Sequence, residues 1–87
     1  MYKIIFNNER LIKKDLELIP DKFRQNIFKK LENLAINWLK ETNIKLLNHY
    51  SLCDYRLRVW NYRILFNLNS NNNQIIIFRI LHRSKLY

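Results

Sequence analysis

Apolar and charged residues alternate along two short runs, 55–59 and 62–66, which are separated by two residues. This period-two pattern predicts two antiparallel strands joined by a tight turn. One face of the hairpin is then apolar and the other is cationic, with Arg58 directly opposite Arg63 and Arg56 on the same face. Directly opposed like charges destabilise an antiparallel pair by up to about 1 kcal/mol, so stability alone does not favour this pairing. A polyanionic partner would favour it.

A polar tract at 69–73 predicts a loop, and a further strand follows it over 74–81. The pairing that keeps both faces of the sheet consistent places Arg63 opposite Arg79. It adds Arg79, and by parity Arg83, to the cationic face. The apolar face receives three side chains from the last strand: Ile76, Phe78 and Ile80.

Helical periodicity dominates the first half of the chain. After a β-rich run at 2–6 and two asparagines that suit a helix start, apolar spacing predicts helices over about 9–19 and 22–40. Pro20 ends the first helix, and Asp21 is placed to cap the second. The apolar stripe of the second helix consists of Phe23, Ile27, Phe28, Leu31, Leu34, Ala35 and Trp38.

These stripes predict the fold class. Both helices have to bury their apolar residues, and the apolar face of the sheet is the surface available to them. We therefore expect an α+β fold in which two N-terminal helices pack on one face of a mainly antiparallel four-stranded sheet, leaving the opposite face open and basic. Periodicity weakens at 42–52. We therefore expect a connecting loop there, with room for a short strand or turn. Residues 1–87 are expected to form one domain, because 87 residues are too few for two cores.

Charge and cysteine content narrow the class of protein further. The formal net charge of +9 predicts attraction to phosphate backbones or acidic partners, although a solvated face that maintains solubility is the alternative. The single Cys53 cannot form an internal disulfide, and one cysteine with two histidines is too few for a structural zinc site. No apolar run has the length of a signal peptide or membrane span. We expect a cytoplasmic protein that uses no membrane, metal or cofactor.

The C-terminal segment carries the candidate chemistry. Cationic residues alone bind RNA, but cleavage also needs a group that moves a proton and one that stabilises developing negative charge. His82 is the candidate for proton transfer, Arg83 suits bidentate phosphate binding, and Tyr87 is able to stack on a base. A histidine near a strand end is more often packed or solvated, so spacing alone leaves both interpretations open. His49 and Tyr50 form a second candidate pair, in a loop where a histidine is usually incidental.

Several short motifs resemble a known family when they are taken together. They are Lys14-Asp15-Leu16, Leu18-Ile19-Pro20, Tyr55-Arg56-Leu57-Arg58, Asn61-Tyr62-Arg63-Ile64, and His82-Arg83 followed by Tyr87. In this order and at these spacings they resemble the RelE/ParE superfamily of bacterial toxins from type II toxin–antitoxin systems. The resemblance covers nearly the whole chain, and it favours the RelE-like branch.

The resemblance implies a ribosome-dependent endoribonuclease, or mRNA interferase. Such toxins enter the ribosomal A site and cut translated mRNA without a metal ion. In this reaction the 2′-hydroxyl of the RNA attacks the adjacent phosphate. A cognate antitoxin silences them by wrapping around their surface. The expected partners are therefore an antitoxin, the ribosome and mRNA, and a higher toxin–antitoxin oligomer is compatible with this scheme.

The resemblance also implies roles for individual residues. Motif matching assigns catalysis to Arg63, His82, Arg83 and Tyr87. It assigns substrate binding to Arg56 and Arg58, and the strand register adds Arg79 to that group.

The chain departs from the family pattern at two points. Family members commonly have glycine in the hairpin turn, where this chain has Trp60, so we expect Asn61 to adopt the positive φ. Trp60 itself is either an exposed stacking platform or a lid on the edge of the core. Arg56 and Arg58 stand where some members have lysine, and arginine stays protonated. The role of general base then moves to His82, or catalysis is mainly electrostatic.

Two other functions remain compatible with the sequence. A ParE-like toxin has the same fold, poisons DNA gyrase and cleaves no RNA. A small non-catalytic module would use the cationic face to bind RNA or DNA, with steep salt dependence and no effect on growth.

Overall fold

The computed structural model describes residues 1–48 and 53–85 of the chain. Its elements are β1 (Lys3–Phe6), α1 (Glu9–Glu17), α2 (Asp21–Asn37), β2 (Ile44–Leu46), β3 (Tyr55–Val59), β4 (Tyr62–Asn69) and β5 (Gln74–His82). Short 3-10 helices, Trp38–Lys40 and Arg83–Lys85, follow α2 and β5. Among these residues, no helix has the length and apolar character needed to span a membrane. The predicted N-terminal strand and both predicted helices are confirmed.

The five strands form one mixed sheet in the order β1-β5-β4-β3-β2. β1 runs parallel to β5, and the three other neighbouring pairs are antiparallel. The α+β class and the mainly antiparallel sheet are therefore confirmed, but the prediction of four strands is wrong. The additional strand is β2, whose Ile44 pairs with Leu57 of β3. Three residues are too few to produce a clear period-two pattern, so the sequence allows a short strand at 42–52 but does not locate it.

The hairpin of β3 and β4 has the predicted register. Arg58 lies opposite Arg63, and Leu57 lies opposite Ile64. The alternation of apolar and charged residues was sufficient here because only one register puts every apolar side chain on the same face.

The register between β4 and β5 differs from the prediction. Arg63 pairs with Leu81, and Arg79 pairs with Leu65. A β-bulge beside Leu65 leaves Phe78 out of the pairing, and this shifts the alternation along β5. Residues 75–78 are all apolar, so their sequence does not specify which of them face inward. The core receives Ile75 and Ile77 in place of the predicted Ile76 and Phe78, whereas Ile80 is buried as predicted.

The helices pack their apolar stripes against the sheet in one core. The helical layer contributes Ile12 of α1, Ile27, Leu31 and Leu34 of α2, and Ile19 from the turn between the two helices. They meet Leu57, Val59, Tyr62, Ile64, Phe66, Ile75, Ile77 and Ile80 of the strands. The predicted stripe of α2 is wrong at Phe28, which is exposed. Phe28 lies about 100° around the helix from the buried Ile27, so it falls at the margin of the stripe.

The two helices start differently. The side chain of Asn8 accepts a hydrogen bond from the backbone N–H of Leu11 at 3.1 Å, as its position before the helix predicts. Asp21 does not cap α2, because Pro20 occupies the cap position. Asp21 is instead the first helical residue, where its carboxylate interacts favourably with the helix dipole and pairs with Arg24.

Candidate functional site

A groove of about 640 Å³ lies between α2 and the turn of the β3–β4 hairpin. Five of its lining side chains are cationic: Lys29, Lys30, Arg58, Arg63 and Arg83. Amide side chains and the indole of Trp60 supply most of the remaining lining. We call this site the cationic groove. The structure thus brings together three of the arginines that the sequence singled out, and it adds a wall from α2.

The wall formed by α2 was missed by sequence reasoning. Lys29 and Lys30 lie away from the apolar stripe of α2. Their spacing indicates that they are outside the core, but it does not indicate that they line a groove. A neighbouring concavity of about 290 Å³ is lined by Lys45, Arg56, Arg58 and Arg63. Arg58 and Arg63 line both the cationic groove and this concavity, whereas Arg56 lines the concavity but not the groove.

A chain of hydrogen bonds orients Arg58. Nη2 of Arg58 donates to Oδ1 of Asn43 at 3.1 Å, and the backbone N–H of Arg58 donates to the carbonyl oxygen of Asn43 at 3.0 Å. Asn43 in turn donates its Nδ2 and its backbone N–H to Oε1 of Glu41, at 3.2 and 3.1 Å. Because Glu41 holds the amide nitrogen of Asn43, the amide oxygen is directed at Arg58.

Glu41 anchors this chain to α2. Its side chain is only 9% exposed, and it accepts two hydrogen bonds from Nζ of Lys30, at 3.0 and 3.3 Å. Burial of the carboxyl group by itself raises the pKa, but the hydrogen bonds from Lys30 and Asn43 outweigh burial and lower the pKa of Glu41 below its ordinary value. Glu41 is therefore a carboxylate at neutral pH, and it links Lys30 to the residues that orient Arg58.

The turn between β3 and β4 is braced by the side chain of Arg63. Its Nη1 donates to the carbonyl oxygens of Trp60 and Tyr62, both at 2.9 Å. Trp60 has a φ of 57°, and Asn61 has no positive φ, so the prediction for Asn61 is wrong. Of the two turn types that hairpins favour, type II′ has a single positive φ, on the first of the two central residues. Trp60 occupies that position here.

Arg79 lies outside the cationic groove, contrary to the predicted register. Its guanidinium forms a bidentate ion pair with Asp15 of α1, in which both N···O distances are 2.8 Å. The same carboxylate accepts the backbone N–H of Ile80 at 3.2 Å. Asp15 is 4% exposed, so this pair fastens α1 to β5 inside the structure. Asp15 falls between Ile12 and Ile19 on the inward side of α1, and this spacing is the signal that identifies it.

His82 is separated from Arg83 by the alternation of side chains. It pairs with Tyr62 across the sheet, and the two rings meet edge to face with centroids 5.4 Å apart. Its Nδ1 accepts the backbone N–H of Ser84 at 3.2 Å and lies 2.9 Å from the hydroxyl oxygen of Ser84. Arg83 lines the cationic groove and His82 does not. The sequence prediction places both residues at one site. Successive side chains at a strand end point to opposite faces of the sheet, so the two residues are separated.

The chemistry of the groove is that of an anion-binding surface. Its lining in the described part of the chain contains neither a histidine nor a carboxylate. Guanidinium groups stay protonated and bind phosphate oxygens through paired hydrogen bonds, so they stabilise negative charge rather than transfer protons. Tyr87, His49 and Tyr50 lie outside the described residues, and their predicted roles stay predictions.

Comparison with protein families identifies the chain. A family model described as the ParE toxin of the type II toxin–antitoxin system parDE matches residues 9–87. This chain belongs to the RelE/ParE superfamily of type II toxins. The predicted resemblance is therefore confirmed, and the protein is the toxin component of a type II toxin–antitoxin system. No curated protein matches the toxin in sequence.

Solved structures have the same fold as this toxin. A chain of the RelB–RelE antitoxin–toxin complex from Methanococcus jannaschii is 32% identical, with a TM-score of 0.68 over 95% of the toxin and 94% of that chain. A chain of the RelBE2 toxin–antitoxin complex from Mycobacterium tuberculosis has a TM-score of 0.77 at 20% identity, covering 94% of the toxin and 98% of its own length. The archaeal RelE–RelB complex from Pyrococcus horikoshii gives a TM-score of 0.76 at 18% identity, with 97% of each chain covered. The last two likenesses show the fold alone.

Proposed function

We propose that this toxin is a ribosome-dependent endoribonuclease that cleaves translated mRNA and arrests growth. The observation that carries the proposal is the cationic groove, in which Arg58, Arg63 and Arg83 meet two lysines of α2. Guanidinium groups bind phosphate more specifically than lysine does, because two of their N–H donors match two phosphate oxygens. A single strand of RNA presents such phosphates along its whole length.

The proposed reaction is an internal transfer at one phosphate of the RNA. The bond from the 2′ oxygen to phosphorus forms while the bond from phosphorus to the 5′ oxygen breaks, which leaves a cyclic phosphate and a free 5′-hydroxyl. The transition state carries additional negative charge on the phosphoryl oxygens. Preorganised donors such as Arg58, held by Asn43, stabilise that charge without reorganising during the reaction.

We assign His82 a structural role in this proposal. Its Nδ1 is engaged by Ser84 and its ring packs on Tyr62, so it has a packing function that does not depend on proton transfer. The groove then acts mainly through electrostatic stabilisation, and Tyr87 keeps its predicted role in stacking. The proton of the 2′-hydroxyl leaves to solvent or to the ribosome, and the departing 5′ oxygen takes up a proton from the same source.

Arginine substitutions test the proposal in cells. We expect Arg58→Ala and Arg83→Ala each to lower the rate of mRNA cleavage by about 10²- to 10³-fold, which is the usual effect of removing one preorganised donor. Growth after induction and primer extension on mRNA measure this loss. Arg24→Ala is the matched control, because it removes the same charge from α2 outside the groove. A double variant of Arg58 and Arg83 that remains fully toxic would contradict the proposal.

A second candidate function is poisoning of DNA gyrase. The observation that favours it is the family model, whose description names the ParE toxin of parDE. Induction of the toxin separates the two candidates. New cleavage sites within translated codons support the endoribonuclease, whereas an SOS response with intact mRNA supports the gyrase poison. Nucleic-acid binding that leaves growth unaffected would point instead to a non-catalytic module.

We also propose a cognate antitoxin as the partner of this toxin. Support comes from the RelB–RelE complex of Methanococcus jannaschii, an antitoxin–toxin complex that contains a chain with 32% identity to this one. Co-expression of the toxin with an adjacent small reading frame tests the assignment. Rescue of growth and co-purification of both chains are expected, and rescue without any complex would argue against direct binding.

A further inference from the structure

Trp60 combines two features that do not favour stability. Its φ of 57° lies in the left-handed region, which is unfavourable for a residue with a bulky side chain. Its side chain is also 71% exposed, so the indole gains little from burial in the core. The exposure excludes the interpretation of Trp60 as a lid on the core edge. Unfavourable backbone conformations persist where the surrounding structure holds them, and they concentrate at functional sites.

The surrounding structure does hold this turn. Nη1 of Arg63 donates to the carbonyl oxygen of Trp60 at 2.9 Å. The next carbonyl oxygen, that of Asn61, accepts the backbone N–H of Arg83 at 2.7 Å. Both residues of the turn are therefore tied to segments that carry groove arginines. The position of the indole is coupled to the position of these cations.

The indole stands in a setting that suits a nucleobase. Trp60 lines the cationic groove together with Arg58 and Arg63, and α2 forms the opposite wall. Lys29 and Lys30 of that wall provide charge, and Asn26 and Asn33 provide amide donors and acceptors. Single-stranded nucleic acids are bound in grooves where cations follow the backbone and an aromatic ring stacks on a base.

We propose that Trp60 is a base-stacking residue of the toxin and that it binds a nucleobase of single-stranded RNA while the groove cations bind the flanking phosphates. This rests on the proposed function, in that the groove is taken to bind RNA. It adds an aromatic substrate-binding residue to the cationic groove. It also explains why a bulky residue occupies a turn that glycine would form at lower cost.

An abasic oligonucleotide isolates the stacking contribution. The probe is a short single strand with 2′-deoxy sugars, which cannot undergo attack by a 2′-hydroxyl, compared with the same strand lacking one internal base. Both strands carry the same phosphates, so electrostatic binding cancels in the ratio of their dissociation constants. We expect the wild-type toxin to prefer the complete strand by about 5- to 150-fold, the range for stacking one base.

Substitutions at Trp60 change that ratio in a defined way. Trp60→Gly and Trp60→Asn are expected to abolish the preference, and Trp60→Phe is expected to retain most of it. Glycine and asparagine tolerate a positive φ, so their melting temperatures should equal or exceed that of the wild type. Leu39→Ala is the matched control, because Leu39 is 77% exposed and does not line the groove. It should leave the ratio unchanged.

The outcomes separate this inference from the proposed function. A wild-type toxin that binds neither strand would overturn the stacking role, whereas mRNA that stays intact after induction would overturn the proposed function. Normal binding with an unchanged ratio in Trp60→Gly would overturn the stacking role alone. An antitoxin affinity that falls in Trp60→Gly without any change in the ratio would also reject stacking and identify the indole as a protein contact.

Fluorescence supplies an independent readout that does not depend on a substitution at the site. Trp38→Phe leaves Trp60 as the single tryptophan of the chain. Stacking of a base on the indole should quench its emission with the complete strand and leave it almost unchanged with the strand that is abasic at the contacted position. Equal responses to both strands would contradict the proposal.

Discussion

Asp15 and Glu41 are two carboxylates that direct neighbouring cations at the scale of single residues. Asp15 binds Arg79 and keeps it at the junction of α1 and β5. Glu41 binds Lys30 and, through Asn43, orients Arg58 toward the groove. In a chain with net charge +9, Asp15 thus holds Arg79 outside the groove, whereas Glu41 binds Lys30 within the groove lining.

Replacement of Asp15 should be strongly destabilising. Asp15→Asn removes the charge of the buried carboxylate that pairs with Arg79 and weakens the acceptor for the N–H of Ile80. We expect a loss of about 3–5 kcal/mol in the free energy of unfolding, measured by urea denaturation. Asp21→Asn is the control, because its pair with Arg24 is 73% exposed at the carboxylate and should contribute at most about 1 kcal/mol. Equal effects of the two substitutions would argue against a stabilising role of the ion pair between Asp15 and Arg79.

The structural role assigned to His82 leads to a second prediction at this scale. His82→Gln keeps a side chain that accepts hydrogen bonds but cannot titrate. We expect it to retain toxicity to within about tenfold, with a lower melting temperature because the contact with Tyr62 is altered. A general base would instead contribute about 10²- to 10⁴-fold. Growth arrest and mRNA cleavage that disappear in a folded His82→Gln toxin would restore the catalytic assignment.

At the scale of elements, the segment between α2 and β3 positions one side of the groove. Glu41 follows the 3-10 helix at the end of α2, and Asn43 directly precedes the edge strand β2. Their hydrogen bonds connect α2 to β3 without passing through the apolar core. The geometry of Arg58 therefore depends on the packing of α2 as well as on its own strand.

A double-mutant cycle measures this connection. Glu41→Gln and Lys30→Met each remove one side of the partly buried ion pair. We expect each to lower the free energy of unfolding by about 1–2 kcal/mol, and the double variant to lose less than the sum, with a coupling of at least about 0.5 kcal/mol. Additive losses would mean that the two side chains act independently. Asp21→Asn again provides an exposed reference.

The pH dependence of stability gives a separate test of Glu41. Its pKa is lower in the folded toxin than in the unfolded chain, so the folded state binds fewer protons and stability rises with pH in that window. The contribution is complete above the unfolded value of about 4.3 and is lost as the pH falls through the folded value. Thermal unfolding from pH 3 to pH 7 should therefore show that wild type and Glu41→Gln converge in acid. Parallel curves would contradict this.

At the scale of the whole molecule, charge is concentrated where the two layers of the fold meet. The α2 wall, the β3–β4 hairpin and the 3-10 helix after β5 contribute five cations to one groove, although these segments are distant in sequence. Such a field attracts polyanions over distances of about 10 Å at moderate salt.

Salt dependence measures how many of these cations contact the nucleic acid. For five phosphate contacts with a single strand, the logarithm of the association constant should fall with the logarithm of salt concentration with a slope of about −3.5. Arg58→Ala should reduce the steepness by about 0.7, and Arg24→Ala should leave it nearly unchanged. A slope near zero would show that phosphate contacts are not the basis of binding.

The sequence by itself determined the elements that have a strong period. The alternation in the hairpin specified the pairing of Arg58 with Arg63, and the apolar stripes specified how the helices face the sheet. The motifs also identified the family. These features are local, because each follows from the period of side chains within one or two neighbouring segments.

Only the tertiary structure decided which cations share the groove. The bulge beside Leu65 lies within an all-apolar run that carries no register signal, and the capture of Arg79 by Asp15 joins residues 64 positions apart. Lys30 and Arg58 likewise line the same groove only because α2 packs against the sheet. Long-range pairing of this kind depends on distances between elements, and a single sequence specifies the composition of those elements but not the distances between them.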